Sequence, residues 1–220
     1  MTRFSLHTCR SEDPFLRLAD AAGPDVRLVV DGGANKGRTV QRLLDMFPAA
    51  SVAAYEPQPR LAGKLAKRFA DRPAVRVRRA GLGSAPGRLM LNVLESPTCS
   101  SFLPPEAIRE KHAGKPMGVA QVVEVEVVRL DADLERAPEV IKLDLQGYEL
   151  EALRGSEGIL GGVRAVLCEV SFRMMYAGQP LCGEVADWME ARGFRLEGLY
   201  SPWDCGDGKL AAADALFTRG

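Results

Sequence analysis

Four acidic residues stand at or beside the ends of short apolar runs in this chain: Asp31, Glu56, Asp144 and Glu169. The run before the first, Arg27-Leu28-Val29-Val30, reads as a strand, and beyond Asp31 the chain turns through Gly32, Gly33 and Gly37 into a segment with helical spacing. Such a turn suits an anionic or carboxylate-bearing ligand. Glycine lets the ligand approach the backbone, and the start of the helix offers unpaired N–H groups and the positive end of its dipole. A carboxylate at a strand end can also be a plain helix cap. Four on one rim of a parallel sheet, however, lie where doubly wound folds bind ligands.

Spacing narrows the ligand. Gly32-Gly33-Ala34-Asn35-Lys36-Gly37 is not the G-x-G-x-x-G of dinucleotide folds, and Lys36 precedes the last glycine, unlike the lysine of a P-loop. What remains is a strand, an acid, Gly33-x-x-x-Gly37 and a helix, which resembles the first motif of S-adenosylmethionine-dependent methyltransferases. On that resemblance Asp31 faces the amino group of the methionine moiety, and the N–H groups from Gly33 through Ala34 and Asn35 to Gly37 meet its carboxylate. Glu56 accepts both ribose hydroxyls, a bidentate arrangement that favours the charged carboxylate. Pro57 and Leu82 flank the adenine, and Gly81 beside Leu82 belongs to the same set.

The elements that must hold these residues alternate along the chain. Ser11-Glu12-Asp13-Pro14 starts an N-terminal helix that Gly23-Pro24 ends, and it is expected to cover one edge of the fold. Val40, Leu43, Leu44 and Phe47 follow the glycine turn at helical spacing; Ser51–Pro57 is a second strand ending in a carboxylate, Leu61, Leu65 and Phe69 mark a helix, and Ala74–Arg79 is a third strand. The first 83 residues therefore form the βαβαβ half of a doubly wound α/β sheet. Gly87–Val93 and Gln121–Val128 alternate like exposed strands, and the long segment from 94 to 120 between them is read as a lid over the substrate. Glu139–Asp144, Val163–Val170, Gly193–Tyr200 and Ala215–Arg219 supply further strands, with a helix over Gly183–Arg192.

One domain accounts for all 220 residues, with an N-terminal helical extension over about 1–25. Hydrophobic residues make up 46% and charged residues 26%, and Lys plus Arg equals Asp plus Glu at 29 each, so no global charge attracts a polyanion. No nucleic-acid partner is expected, and the Arg76, Arg78 and Arg79 patch is assigned to a solvated strand face. Cys9, Cys99, Cys168, Cys182 and Cys205 are scattered, with no C-x-x-C pair, which fits a reducing compartment. No apolar run approaches a membrane span and Met1–His7 lacks the core of a signal peptide, so the expected location is cytoplasmic. Homo-oligomerisation is compatible with the sequence.

The resemblance becomes specific when four pieces are taken together: Val30–Gly37, Tyr55-Glu56-Pro57, Ile141-Lys142-Leu143-Asp144-Leu145-Gln146-Gly147-Tyr148-Glu149 and Asp214-Ala215-Leu216-Phe217. They resemble the FkbM family of methyltransferases from about Val29 to the C-terminus, and the Lys142-to-Glu149 piece is the most diagnostic. Ser100-Ser101 also resembles a family position. Gly32 stands where the family usually has Val or Ile, and Gln146 where many members have Glu. The resemblance implies a Rossmann-like seven-stranded sheet of order 3-2-1-4-5-7-6 with the last strand antiparallel. It further implies transfer of a methyl group from S-adenosylmethionine to a hydroxyl of a sugar, glycan or polyketide-like small molecule.

The sulfonium donor is a strong electrophile, so the protein must align an oxygen and remove its proton. Asp144 is the first candidate base and Glu169 the second. Lys142, two residues before Asp144, points the same way and orients or pairs with it. Glu149 and Glu151 fall in a helix's first turn and are read as structural. His112 in the lid is a third possible base. A magnesium ion on Asp144, Glu149 and Glu169 would suit a catechol-like acceptor, but linear spacing does not decide this and no metal is assigned. Trp188 is placed in the core, and Trp203 in a late loop. The alternative to an enzyme is a noncatalytic S-adenosylmethionine- or nucleotide-binding module in which Asp144 only caps.

Overall fold

The computed structural model describes residues 5–106 and 117–219. Ten strands among the described residues fall into two sheets. The larger holds β1 (Leu28–Gly32), β2 (Ser51–Tyr55), β3 (Val75–Arg78), β7 (Val140–Leu143), β8 (Ala165–Ser171), β9 (Phe194–Asp204) and β10 (Leu210–Arg219) in the order β3-β2-β1-β7-β8-β10-β9. With the strands of the smaller sheet left out of the count, this is the expected 3-2-1-4-5-7-6. β10 runs antiparallel to both neighbours.

Alternation along each strand builds two apolar layers. Val29 of β1 packs with Leu18 of α1 (Pro14–Ala22), Leu43 of α2 (Arg38–Met46) and Leu65 of α3 (Pro59–Arg68) on one face. Val30 packs with Leu150 of a short helix (Glu149–Arg154) and Met189 of a later one (Cys182–Glu190) on the other. We call these α5 and α6, the one-turn helix Leu130–Asp133 being α4. The sheet is thus covered on both sides, as parallel strands require.

The N-terminal helix begins at Pro14, where the Asp13 side chain accepts the Phe15 N–H at 3.0 Å, and ends at Gly23 with φ 72°. It lies across β8 and β10 rather than along an edge, because Leu18 and Ala22 are fully sequestered on the sheet face. The last two strands are longer than the sequence pattern suggested. Ala211, Ala212 and Ala213 lack the β-branched signature, but the hairpin partner and the space beneath them select small side chains. The turn between them is held by Asp204, whose carboxylate accepts the N–H groups of Gly206 at 3.2 Å and Gly208 at 3.1 Å. Trp203 is consequently a strand residue packed on a small apolar cluster that includes Leu94, Met117 and Tyr176, not part of a loop.

The smaller sheet comprises β4 (Gly81–Leu82), β6 (Val119–Val128) and β5 (Gly87–Leu94), in the order β4-β6-β5. It meets the large sheet through ion pairs. Asp133 accepts from Arg76 and Arg78, each at 3.1 Å, and Arg78 also reaches Glu126 on β6 at 2.8 Å. The arginines read as a solvated face are therefore largely matched by acids. Within the expected lid, residues 97–106 are packed down as a flap. Asn92 and Ser101 exchange both backbone hydrogen bonds, the Gln58 amide donates to the Pro97 carbonyl, and Pro105 bridges to Tyr176. His112 lies outside the described residues.

Candidate functional site

A recess of about 280 Å³ opens at the carboxyl ends of β1, β2 and β7. Gly33, with φ 77°, carries the chain so close to β7 that a Cβ there would lie 2.0 Å from the Asp144 carbonyl oxygen. Gly33, Ala34 and Asn35 border the recess, as do Glu56, Pro57 and Gly81. Gly32, Gly37 and Leu82 lie behind it. Gly37 has φ 75°, and a Cβ there would meet Phe69 and Leu65 at 2.5 and 2.6 Å, so α3 rather than a ligand demands this glycine.

Four of the five N–H groups expected to meet a ligand carboxylate, those of Gly33, Ala34, Asn35 and Gly37, already bond within the protein. Gly33 and Ala34 both donate to the Tyr55 carbonyl at 3.0 Å, Asn35 donates to Glu56, and Gly37 donates to Ala34 at 2.8 Å. The N–H groups that helix geometry leaves unpaired are those of the first turn of α2, where Arg38 and Thr39 line the recess. Glu56 is itself held in place: Asn35 N–H donates to one oxygen and Gln58 N–H to the other, both at 2.8 Å. Each oxygen keeps a further lone pair for a ligand hydroxyl. Burial pushes the Glu56 carboxyl up to about 7, although the two backbone donors pull against it.

Asp31 does not face the recess. It is fully buried, and strand register sets it directly beside Lys142, whose Nζ lies 3.7 Å from Asp31 Oδ1 and 3.8 Å from Asp144 Oδ2. The ammonium facing Asp31 is therefore the protein's own, and no hydrogen bond satisfies either of its oxygens. Burial pushes Asp31 up to about 6, with Lys142 opposing. Burial alone would lower Lys142, but Asp144, Asp31, Asp214 and Glu169 around it outweigh that and raise it.

Oxygens of Asp144, Glu149 and Glu169 lie within 4.8 Å of one another, a spacing that would also admit a hard cation. Asp144 lines the recess with a side chain 45% exposed, whereas Glu149 is buried and accepts the N–H groups of Leu145 at 2.7 Å and Gly147 at 3.3 Å. Glu149 is thus a loop clamp, although sequence placed it only in a helix's first turn. Burial, with repulsion from Glu169 next, pushes its carboxyl up to about 8.

A carboxyl harder to ionise when folded binds more protons in the folded state between its ordinary 4.5 and about 8, so stability falls as pH rises through that window. Glu149→Gln keeps an acceptor oxygen and removes the charge. It is expected to raise the melting temperature near pH 8.5 by roughly 2–4 °C, or about 1 kcal/mol, with no gain near pH 4. Identical melting curves for the two proteins at both pH values would contradict the buried charge.

The flap forms the opposite wall through Thr98, Ser100, Ser101 and Phe102, with Leu91 of β5 and Gln146 below. Phe102 packs edge-on against Tyr148 at 5.1 Å and over Gly81, where a Cβ would lie 2.5 Å from its ring. Ser100-Ser101 and Gln146 were visible in the sequence only through family resemblance. Gln58 and Phe102 carried no signal.

Residues 31–196 match the family described as Methyltransferase FkbM domain, which is most of the chain. The chain belongs to the FkbM methyltransferase family. S-adenosylmethionine is accordingly its cofactor, and the Glu56 cradle and the open first turn of α2 fit that molecule's hydroxyls and carboxylate. Among relatives of this FkbM protein is methyltransferase sdnD of Sordaria araneosa, 31% identical over 159 residues that cover 60% of this chain and 61% of sdnD. The crystal structure of FkbM methyltransferase from Methylobacillus flagellatus shares the fold at TM-score 0.57 and 17% identity, over 87% of this chain and 44% of that one. An rRNA methylase from Streptococcus thermophilus shares it at TM-score 0.53 and 14% identity, over 94% of this chain and 97% of its own. The chain spans about three-fifths of the length of sdnD and under half of the Methylobacillus protein. No helix among the described residues is long and apolar enough to cross a membrane.

Proposed function

We propose that this FkbM protein transfers the methyl group of S-adenosylmethionine to a hydroxyl oxygen of a small molecule, either a sugar or glycan or a polyketide-like product. The observation that carries the reading is the position of Asp144. It is the half-exposed carboxylate at the junction between the donor cradle and the flap, while Asp31 and Glu149 behind it are sealed. The cofactor supplies a methyl carbon activated by its sulfonium. The chain supplies the rest: Glu56 would fix the ribose, the start of α2 would receive the amino-acid carboxylate, and Lys142 holds Asp144 in place. The acceptor hydroxyl would donate its hydrogen to Asp144, which keeps the proton, while bound S-adenosylmethionine would supply the methyl group to the freed oxygen and leave as the neutral thioether.

The balanced composition of 29 basic and 29 acidic residues supports a small acceptor over a nucleic acid. Calorimetric titration with S-adenosylmethionine, S-adenosylhomocysteine, NAD and ATP is expected to show binding of the two sulfur compounds alone. Methyl transfer is then assayed across sugars, glycans and polyketide alcohols, with an RNA control. Binding with no transfer to any hydroxyl would leave a noncatalytic module, and transfer to RNA alone would replace the acceptor class.

A further inference from the structure

The Gln146 side chain is held from three directions. Its Nε2 lies 2.7 Å from Asp144 Oδ1 and 3.3 Å from Glu169 Oε2. Its Oε1 accepts from the Tyr176 phenol at 2.9 Å, and that phenol oxygen also lies 2.8 Å from the Cys99 carbonyl. Its backbone carbonyl accepts from Ser101 Oγ at 2.8 Å. The residue is buried and has φ 54°, a conformation uncommon outside glycine and one that its surroundings must maintain. Ionised carboxylates only accept, so the amide must turn its nitrogen toward them, and its two hydrogens serve one acid each. A glutamate of the same shape would offer neither carboxylate a hydrogen unless it were protonated.

We propose that Gln146 is the positioning residue of the acceptor site: it donates one amide hydrogen to Asp144 and one to Glu169, fixing the two carboxylates side by side. Through Tyr176 and Ser101 it also ties that pair to the flap over the recess. This rests on Asp144 as the base and adds the group that orients it. Lys142 from β7, Asp31 from β1, Glu149 from α5, Asp214 from β10 and the Tyr176 phenol all face the pair. Of these, Lys142 alone is cationic, and the amide adds two neutral hydrogens directed at the pair.

Gln146→Glu exchanges NH2 for oxygen at constant shape, and Gln146→Met removes both polar atoms. In each variant the fold and S-adenosylmethionine affinity are expected to be kept, while the melting temperature falls because buried partners of Gln146 lose their hydrogen bonds. kcat near neutral pH falls by about tenfold or more, and the acidic limb of its pH profile moves up by roughly one unit, further in Gln146→Glu. At high pH the rate climbs back toward the wild-type plateau. Carboxyl-carbon NMR titration of Asp144 and Glu169 reads the same displacement without turnover. Activity lowered by one factor at every pH, with the NMR titration unmoved, would overturn the proposal. If Asp144→Asn retained turnover, the base reading would fail by itself, and the NMR displacement would still decide the role of Gln146.

Discussion

Asp144→Asn is expected to lower methyl transfer by about 10²- to 10⁴-fold, the range general-base catalysis contributes, while S-adenosylmethionine affinity stays within about threefold of wild type. The substitution keeps the shape and one acceptor oxygen but cannot take a proton. It also leaves Lys142 with Asp31, so the buried ion pair behind the site survives. A single-turnover assay with preloaded donor isolates the chemical step. Turnover at the wild-type rate in that assay would remove Asp144 from the mechanism, and a parallel Glu169→Gln assay would show whether the neighbouring carboxylate takes over.

Glu56→Ala is expected to weaken S-adenosylmethionine binding by roughly 2–3 kcal/mol, about 30- to 150-fold, because the proposed pair of charge-assisted hydrogen bonds to the ribose would be lost together. Part of that loss comes from the protein. The Asn35 and Gln58 N–H groups that Glu56 satisfies would be left without their acceptor. Glu56 also gives donor binding a pH signature. Since its carboxyl is pushed up to about 7 by burial, below that pH the free protein holds a proton where the ribose hydroxyls must donate. Affinity should therefore weaken as pH falls below about 7, approaching tenfold per unit, and level off above it. Calorimetry across pH checks both statements. A wild-type affinity flat from about pH 5 to 9, or a Glu56→Ala protein that binds as tightly as wild type, would place the ribose elsewhere.

The donor half of the site was legible because its cues are local. A strand followed by an acid and glycines specifies its own turn, and Glu56 with Pro57 closes the next strand in the same way. Asp31 shows where locality ends. Its burial against Lys142 follows from a register that pairs residues distant in the chain, and no pattern around Asp31 announces a lysine waiting there. The same holds for Gln58, whose amide reaches across to Pro97 and Ser100 in the flap. The segment from 94 to 120 reads as polar and loop-like, yet 97–106 is fastened to four separate parts of the fold, at Asn92, Gln58, Gln146 and Tyr176. Strand lengths at the C-terminus were understated for a different reason. Alanine has little preference for strands, and its burial there is decided by what lies across the hairpin.

The smaller sheet shares no hydrogen-bonded edge with the larger one, yet the flap hangs from its β5 strand. On the proposed function, the flap and Leu91 shape the acceptor side of the recess while the Glu56 cradle stands on the large sheet, and the two meet at Lys142 through Gln146. Remodelling β5, β6 and their connection should retune which alcohol is admitted while the nucleoside grip is preserved. For an engineer seeking new acceptors, that smaller sheet is the place to graft diversity, and the seven-stranded scaffold can be left untouched.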